Sequence, residues 1–241
     1  MKSIEPERLE ILIEECLNDF YQRRFYKLNE LKLKTVLRRK NPYLFRAIGT
    51  ERASEIVESI LQAYISSSDE TIFGDVYFEK IARSLPGVQV SDAEGVDAVV
   101  EDDNSVHAYA IKSGPNPFNS SAKKRQHDEF MSLRNRLYKL HKKFDPVLAY
   151  SYGRKNTQGS DNTIYREVSG QKFWEELTGD PQFYLKIISL MRDIPQQKKE
   201  EYRRNWDATI NRFEAEFIRD FCFEDGRINW EKLTEFISGE V

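Results

Sequence analysis

Apolar residues recur at helical spacing through the first quarter of the chain. Leu9, Leu12, Ile13, Cys16, Leu17 and Phe20 fall on one face, and Leu28, Leu31, Leu33, Val36 and Leu37 continue the period with bases opposite them. Asn41 precedes Pro42, and a residue before proline is pushed out of the α region. A break is therefore expected there, with NPYLF forming a turn that offers two aromatic core anchors. Ala53, Ile56, Val57, Ile60, Leu61 and Tyr64 predict another amphipathic helix, stopping at Ser66, Ser67 and Ser68. The string SSSDETIFGDVYFEKIARSL then reads as a new, capped helix that ends by Pro86 and Gly87.

From Val88 to Ser113 the period changes from helical to alternating. VQV, GVDAVV and VHAYAIK are short β-branched or alternating runs, and the acidic turn EDDN separates the last two, which predicts a hairpin or meander. SGPNPFNSS is a loop by composition, and AKKRQHDEFMSLRNRLYKLHKKF is a helix with Phe130, Leu133, Leu137 and Leu140 on one face. PVLAYSYG and TIYREVSG predict two more strands, and the remainder is helical. The expected fold class is α/β: a small mixed central sheet flanked by helices, with helical N- and C-terminal extensions. The expected division is residues 1–67 as an N-terminal helical region for clamping and dimerisation, 68–192 as the core, and 193–241 as a C-terminal helical region packed on it. Phe45, Trp174, Trp206 and Trp230 are expected in the packing.

Composition narrows the function classes. The 241 residues are 39% hydrophobic and 32% charged, with two cysteines far apart, so neither a disulfide framework nor a zinc-ligand spacing exists. The first twenty residues carry acids throughout and lack a small-residue cleavage site, and no apolar run spans a bilayer. A cytoplasmic protein with no membrane partner is the expectation. The net charge of −3 conceals a strong asymmetry: residues 23–46 carry +8 and residues 112–143 carry +7, leaving −18 for the rest. Local potential steers a polyanion, so these stretches suit nucleic acid; the alternative is that they are solvated helix faces.

The chemistry-bearing residues concentrate in the predicted hairpin. No G-x-S-x-G elbow or P-loop appears, His107, His127 and His141 have no zincin or triad spacing, and no organic cofactor is expected. Asp97 in GVDAVV and Lys112 at the end of AYAIKSG lie on neighbouring strands and can converge at one edge of a sheet. A carboxylate can hold Mg²⁺, the ion makes a bound water more acidic, and an ammonium can orient that water or offset developing charge, which is phosphodiesterase chemistry. A plain Asp–Lys ion pair is the structural alternative.

GVD followed by a strand ending in IKSGPN resembles the PD-(D/E)xK nuclease core. The longer strings RRKNPYLFRA, SSSDETIFGD, EGVD, AIKSGPNPFNSS and FWEELTGDPQFYLK resemble type II restriction endonucleases of the PmeII-like family. The resemblance implies a Mg²⁺-dependent enzyme that cuts both strands of double-stranded DNA at a short site, usually as a homodimer. It gives Asp97 as metal-binding acid and Lys112 as catalytic lysine. In the nuclease pattern the position two before the lysine is Asp or Glu, whereas here it is Ala110. Glu79 is the first candidate to replace that acid as catalytic and metal-binding carboxylate, ahead of Glu94 and Asp75, and the Ile111 carbonyl oxygen completes the expected ligands. For DNA contact, the candidates are Asn116, Asn119, Ser120, Ser121, Lys123, Lys124, Arg125 and Gln126 after the lysine, and Arg38, Arg39, Lys40 and Asn41 in the first basic stretch. A catalytically inactive DNA-binding protein on the same fold, or a repair or RNA nuclease, are the alternatives.

Overall fold

The computed structural model describes residues 4–115, 119–137, 142–159 and 163–240. The chain divides into two compact units, Met1–Phe20 with Thr71–Ile194, and Tyr21–Glu70 with Pro195–Val241.

The first unit is built on a five-stranded sheet in chain order: β1 (Val88–Val90), β2 (Ala98–Glu101), β3 (Ser105–Lys112), β4 (Lys143–Tyr150) and β5 (Arg166–Ser169). The first three strands are antiparallel, while β3–β4 and β4–β5 are parallel. A parallel pair needs a long crossover, and α6 (Ser120–Leu137) lies in the one between β3 and β4. Alternation along β3 sorts its side chains between two cores. Tyr109 and Ile111 join Leu9, Ile13, Leu17, Tyr77, Ile81, Phe173, Trp174 and Phe183, drawn from α1 (Pro6–Asn29), the helix before the sheet, α7 (Gln171–Thr178) and α8 (Phe183–Ser189). Ala108 and Ala110 join Phe130 and Leu133 of α6, with Leu148 and Tyr150 of β4. Helices thus cover both faces, and the fold class expected from the periodicity is the one observed.

The second unit has its own apolar core. Leu33, Val36 and Leu37 of α2 (Leu33–Leu37) pack with Ile56, Val57, Ile60 and Leu61 of α4 (Ala53–Phe73), with Phe213, Phe217 and Phe221 of α9 (Ile194–Phe221), and with Leu233 of α10 (Trp230–Ser238). Phe45, Trp206 and Trp230 lie partly buried against this core, and Trp174 is fully buried in the other unit. Among the described residues no helix is long and apolar enough to cross a membrane.

Two local expectations are corrected. NPYLF forms a short helix, α3 (Pro42–Ala47), instead of a turn: Pro42 is at its start, where a missing N–H costs nothing, and the Asn41 side chain accepts from the Leu44 amide at 3.2 Å. Tyr43 is 66% exposed and anchors no core. The serine run Ser66–Ser68 does not stop its helix either. α4 passes through it to Phe73, continues as a π-helical turn over Gly74–Glu79, and ends as α5 (Lys80–Arg83). Serine lowers helix propensity only modestly, and the apolar positions that end at Ile65 before the run resume at Phe73 and Val76 after it.

Trp174 ties a helix to the sheet end, being fully buried with its indole N–H donating to the Ser151 carbonyl at 2.9 Å. Trp174→Ala is expected to destabilise the protein by about 3–5 kcal/mol. Urea unfolding measures this; a change below about 1 kcal/mol is the signature of an exposed position.

Candidate active site

Asp97 sits one residue before β2 and is fixed at both ends. Its amide donates to the Tyr109 carbonyl at 2.8 Å, and its Oδ2 accepts from the Ile111 amide at 2.7 Å. Lys112 closes β3, and its Nζ lies 3.6 Å from Asp97 Oδ2. The Lys112 carbonyl accepts from the Ser151 amide at 2.9 Å, which pins the strand end to the residue following β4. The hairpin therefore brings the acid and the lysine together.

Glu79 reaches the same place from the π-helical turn. Such turns hold an extra residue and recur at functional sites, and here Val76 and Tyr77 stay buried while the Glu79 side chain is 20% exposed. Gly74 makes the approach possible, because a Cβ there would stand 3.2 Å from Cβ of Ser113, the residue after Lys112. Arg83, one helical turn beyond Glu79, bridges the two acids: its Nη2 is 3.0 Å from Glu79 Oε2 and 3.0 Å from Asp97 Oδ1. Its Nε also donates to the Asp97 carbonyl at 3.1 Å. The two carboxylate oxygens are thus no farther apart than those two contacts end to end. Sequence reasoning missed Arg83, although its i,i+4 spacing from Glu79 was a readable signal.

Burial raises the Glu79 carboxyl from 4.5 to about 7, and the negative charge of Asp97 adds to the rise; Arg83 and Lys112 pull it down, and Asp75 pushes it up. Asp75 is exposed on the same turn. Glu94 is 78% exposed and bound by Arg125.

Ala110 is fully buried in the apolar cluster under α6. A carboxylate at that position would be desolvated, which is costly without a partner. Among the described residues no cluster of three or more His, Cys, Asp or Glu is arranged to hold a metal. The two carboxylates nevertheless fit a hard divalent ion: they are oxygen donors converging on one positive centre, here the Arg83 guanidinium.

The residues expected to touch DNA fall into distinct groups. Arg125 Nε and Nη2 are held by Glu129 at 2.7 Å and Glu94 at 2.8 Å. Gln126 is 3% exposed, with its amide nitrogen donating to the Gly95 carbonyl at 2.8 Å, so it points inward and offers no free edge to a duplex. Gly95 has φ +71°, and a Cβ there would lie 1.8 Å from the Glu129 carboxylate. These contacts seat the loop that carries Asp97 on α6. Asn119 accepts from the Ala122 amide at 2.9 Å, starting α6, while Ser120, Ser121, Lys123 and Lys124 are exposed. Asn116 lies outside the described residues. In the second unit Arg38, Arg39 and Asn41 are exposed, and Lys40 is half-buried. A cavity of about 1100 Å³ opens elsewhere in the first unit, lined mainly by apolar and aromatic residues such as Phe78, Tyr152 and Trp174. It includes none of Glu79, Asp97 and Lys112.

A mixed sheet clad by helices, with an acid entering one strand and a lysine ending its antiparallel neighbour, is a restriction-endonuclease-like core. A family profile described as type II restriction endonuclease EcoO109I matches residues 7–201. The chain therefore belongs to that family of restriction endonucleases, enzymes that bind and hydrolyse double-stranded DNA. The class expected from the motif strings is shown by this match, and the family it shows is that of EcoO109I. No curated protein matches the chain.

The raised Glu79 carboxyl makes a pH signature. Its folded value lies above its unfolded one, so its contribution to stability is fully present below about 4.5 and is lost as pH rises through about 7. With divalent ions chelated, the unfolding free energy of Glu79→Gln is expected to vary less between those pH values than that of the wild type. Parallel stability profiles for the two proteins would show that Glu79 has no such shift.

Proposed function

We propose that the protein is a Mg²⁺-dependent type II restriction endonuclease that cuts both strands of a short DNA site as a homodimer in the cytoplasm. The observation that carries this reading is the convergence of Glu79, Asp97 and Lys112 on one strand end, with both acids within reach of a single cation. The likeness of RRKNPYLFRA and AIKSGPNPFNSS to PmeII-like enzymes supports the same chemistry.

In this reading Asp97 and Glu79 hold the ion together with the Ile111 carbonyl oxygen, and Glu79 replaces the acid missing at Ala110. When bound, the ion supplies Lewis-acid stabilisation of phosphoryl charge and a more acidic water. Asp97 is positioned by the Ile111 amide, so its free lone pairs keep a fixed direction. The Lys112 ammonium, tethered beside Asp97, orients the attacking water and offers a proton-bearing contact to the non-bridging oxygens. The water oxygen bonds to phosphorus as the bond from phosphorus to one ester oxygen breaks; the water gives up a proton to solvent, and the departing oxygen takes one up from solvent. Glu79, with a carboxyl near neutrality, must give up its own proton to serve as a ligand, so cleavage is expected to strengthen from mildly acidic to neutral pH. A palindromic site is matched by two-fold protein symmetry, which is the reason to expect a homodimer.

Asn119, Ser120, Ser121, Lys123 and Lys124 serve as DNA contacts next to the site, as do Arg38, Arg39, Lys40 and Asn41 in the second unit. Arg125 and Gln126 act through the Asp97 loop. The buried Ala110 favours one competing reading, a protein on this fold that binds DNA without cutting it.

Digestion of a phage genome by the purified protein with Mg²⁺, followed by mapping of the ends, separates the two. Discrete fragments with a common end sequence are expected; retention of DNA without cleavage favours the binding protein. Asp97→Asn and Lys112→Ala are each expected to abolish cleavage in a folded protein, and Glu79→Gln to reduce cleavage more than DNA binding. Wild-type rates from Asp97→Asn or Lys112→Ala remove that residue from the mechanism.

Replacing Lys123 and Lys124 by Gln is expected to weaken binding to all sequences and to flatten the salt dependence of log K by about 0.9 for each phosphate no longer neutralised. A slope equal to the wild-type one identifies these lysines as solvated.

A further inference from the structure

The carboxylate pair already has a cation. Arg83 places one guanidinium nitrogen 3.0 Å from Glu79 and 3.0 Å from Asp97, where an ion shared by both acids would have to stand. We propose that Arg83 is a resident counter-ion of the nuclease centre: it holds the two acids together until a divalent ion binds, and it must swing aside for that ion to enter. The inference rests on the metal site proposed above and adds a residue that sets the ion's affinity.

The balance of charge supports it. When both acids are ionised, Glu79 and Asp97 are matched by Arg83 and Lys112, two charges against two. A divalent ion added to that set leaves two positive charges in excess within a few ångströms, and the least costly to expel is the one nearest water. The Arg83 side chain is 35% exposed, against 29% for Lys112. The geometry also provides the path. Nε donates to the Asp97 main-chain carbonyl at 3.1 Å, and rotation about the aliphatic bonds of the side chain carries the whole planar guanidinium, Nε included, off the carbonyl and both carboxylates. The released guanidinium keeps the planar fork that matches the bidentate geometry of a DNA phosphodiester. Arg83 is in this sense a positioning residue, acting through Glu79 and Asp97.

The test is calorimetric titration of the full chain with Mn²⁺, without DNA. Arg83→Gln is expected to bind Mn²⁺ about tenfold more tightly, because the ion no longer has to break charge-assisted contacts to enter. It is also expected to melt at a lower temperature than wild type in chelator, with the gap narrowing at saturating Mn²⁺. A merely structural arginine predicts the reverse, weaker ion binding in a less stable protein. Unchanged or weaker Mn²⁺ affinity in folded Arg83→Gln, with wild-type binding that Asp97→Asn abolishes, overturns the role of Arg83 alone. Absence of Mn²⁺ binding in every variant overturns the metal site as well. The wild type gives an independent readout by ¹⁵N-arginine NMR: saturating Mg²⁺ is expected to shift the Arg83 Nε–H signal and speed its guanidinium rotation, and an unmoved signal overturns the proposal.

Discussion

Two like charges held within reach of one cation are the constraint on which the site depends. Glu79 and Asp97 repel each other, and burial of the Glu79 carboxyl brings its proton affinity near neutrality. Such a pair persists only where the surrounding structure fixes both members. Asp97 is fixed by main-chain bonds to Tyr109 and Ile111, and Glu79 by a π-helical turn pressed against the end of β3 through Gly74. Arg83 and Lys112 supply the balancing charge. The proposed metal chemistry would use the same arrangement, since oxygen donors that converge before the ion arrives need little rearrangement to bind it.

The basic stretch after Lys112 has a structural purpose that net charge conceals. Arg125 and Gln126 face the loop of Glu94 and Gly95, with Glu129 completing the contact, and together they fix the entry into β2. Gly95 is needed there because its backbone is left-handed and lies against the Glu129 carboxylate. One helix thus braces the loop that carries Asp97 on its inner side while exposing Lys123 and Lys124. Residues that support the scaffold and residues proposed to bind DNA follow one another along the chain.

Much of this was legible in the sequence because it depends on short-range order. Alternation in GVDAVV and VHAYAIK, with an acidic turn between them, was enough to bring Asp97, at the entry to β2, beside Lys112 at the end of β3. The helical period likewise placed Phe130 and Leu133 under the sheet. What escaped reading depends on tertiary contact. A run of three serines resembles a helix end, yet packing of the flanking apolar residues carried α4 through it. Gln126 lies within a run of charged and polar residues, and nothing local distinguishes an inward amide from an outward one. Ala110 departs from the nuclease pattern, and its burial leaves no polar room for a carboxylate there; in the proposed reading the substitute acid comes from a helix. Arg83 escaped because its second partner, Asp97, is fourteen residues away and becomes a neighbour only when the sheet forms.

The central claim is that Glu79 and Asp97 form one cation site beside Lys112. Anomalous diffraction from a crystal grown with Mn²⁺ tests it directly, since the metal's position is read without assuming any role for the residues. The account predicts an anomalous peak bonded to oxygens of both Asp97 and Glu79, at the place of the Arg83 guanidinium. A peak bound to Asp97 with Glu79 turned away, or none at that strand end, would contradict it.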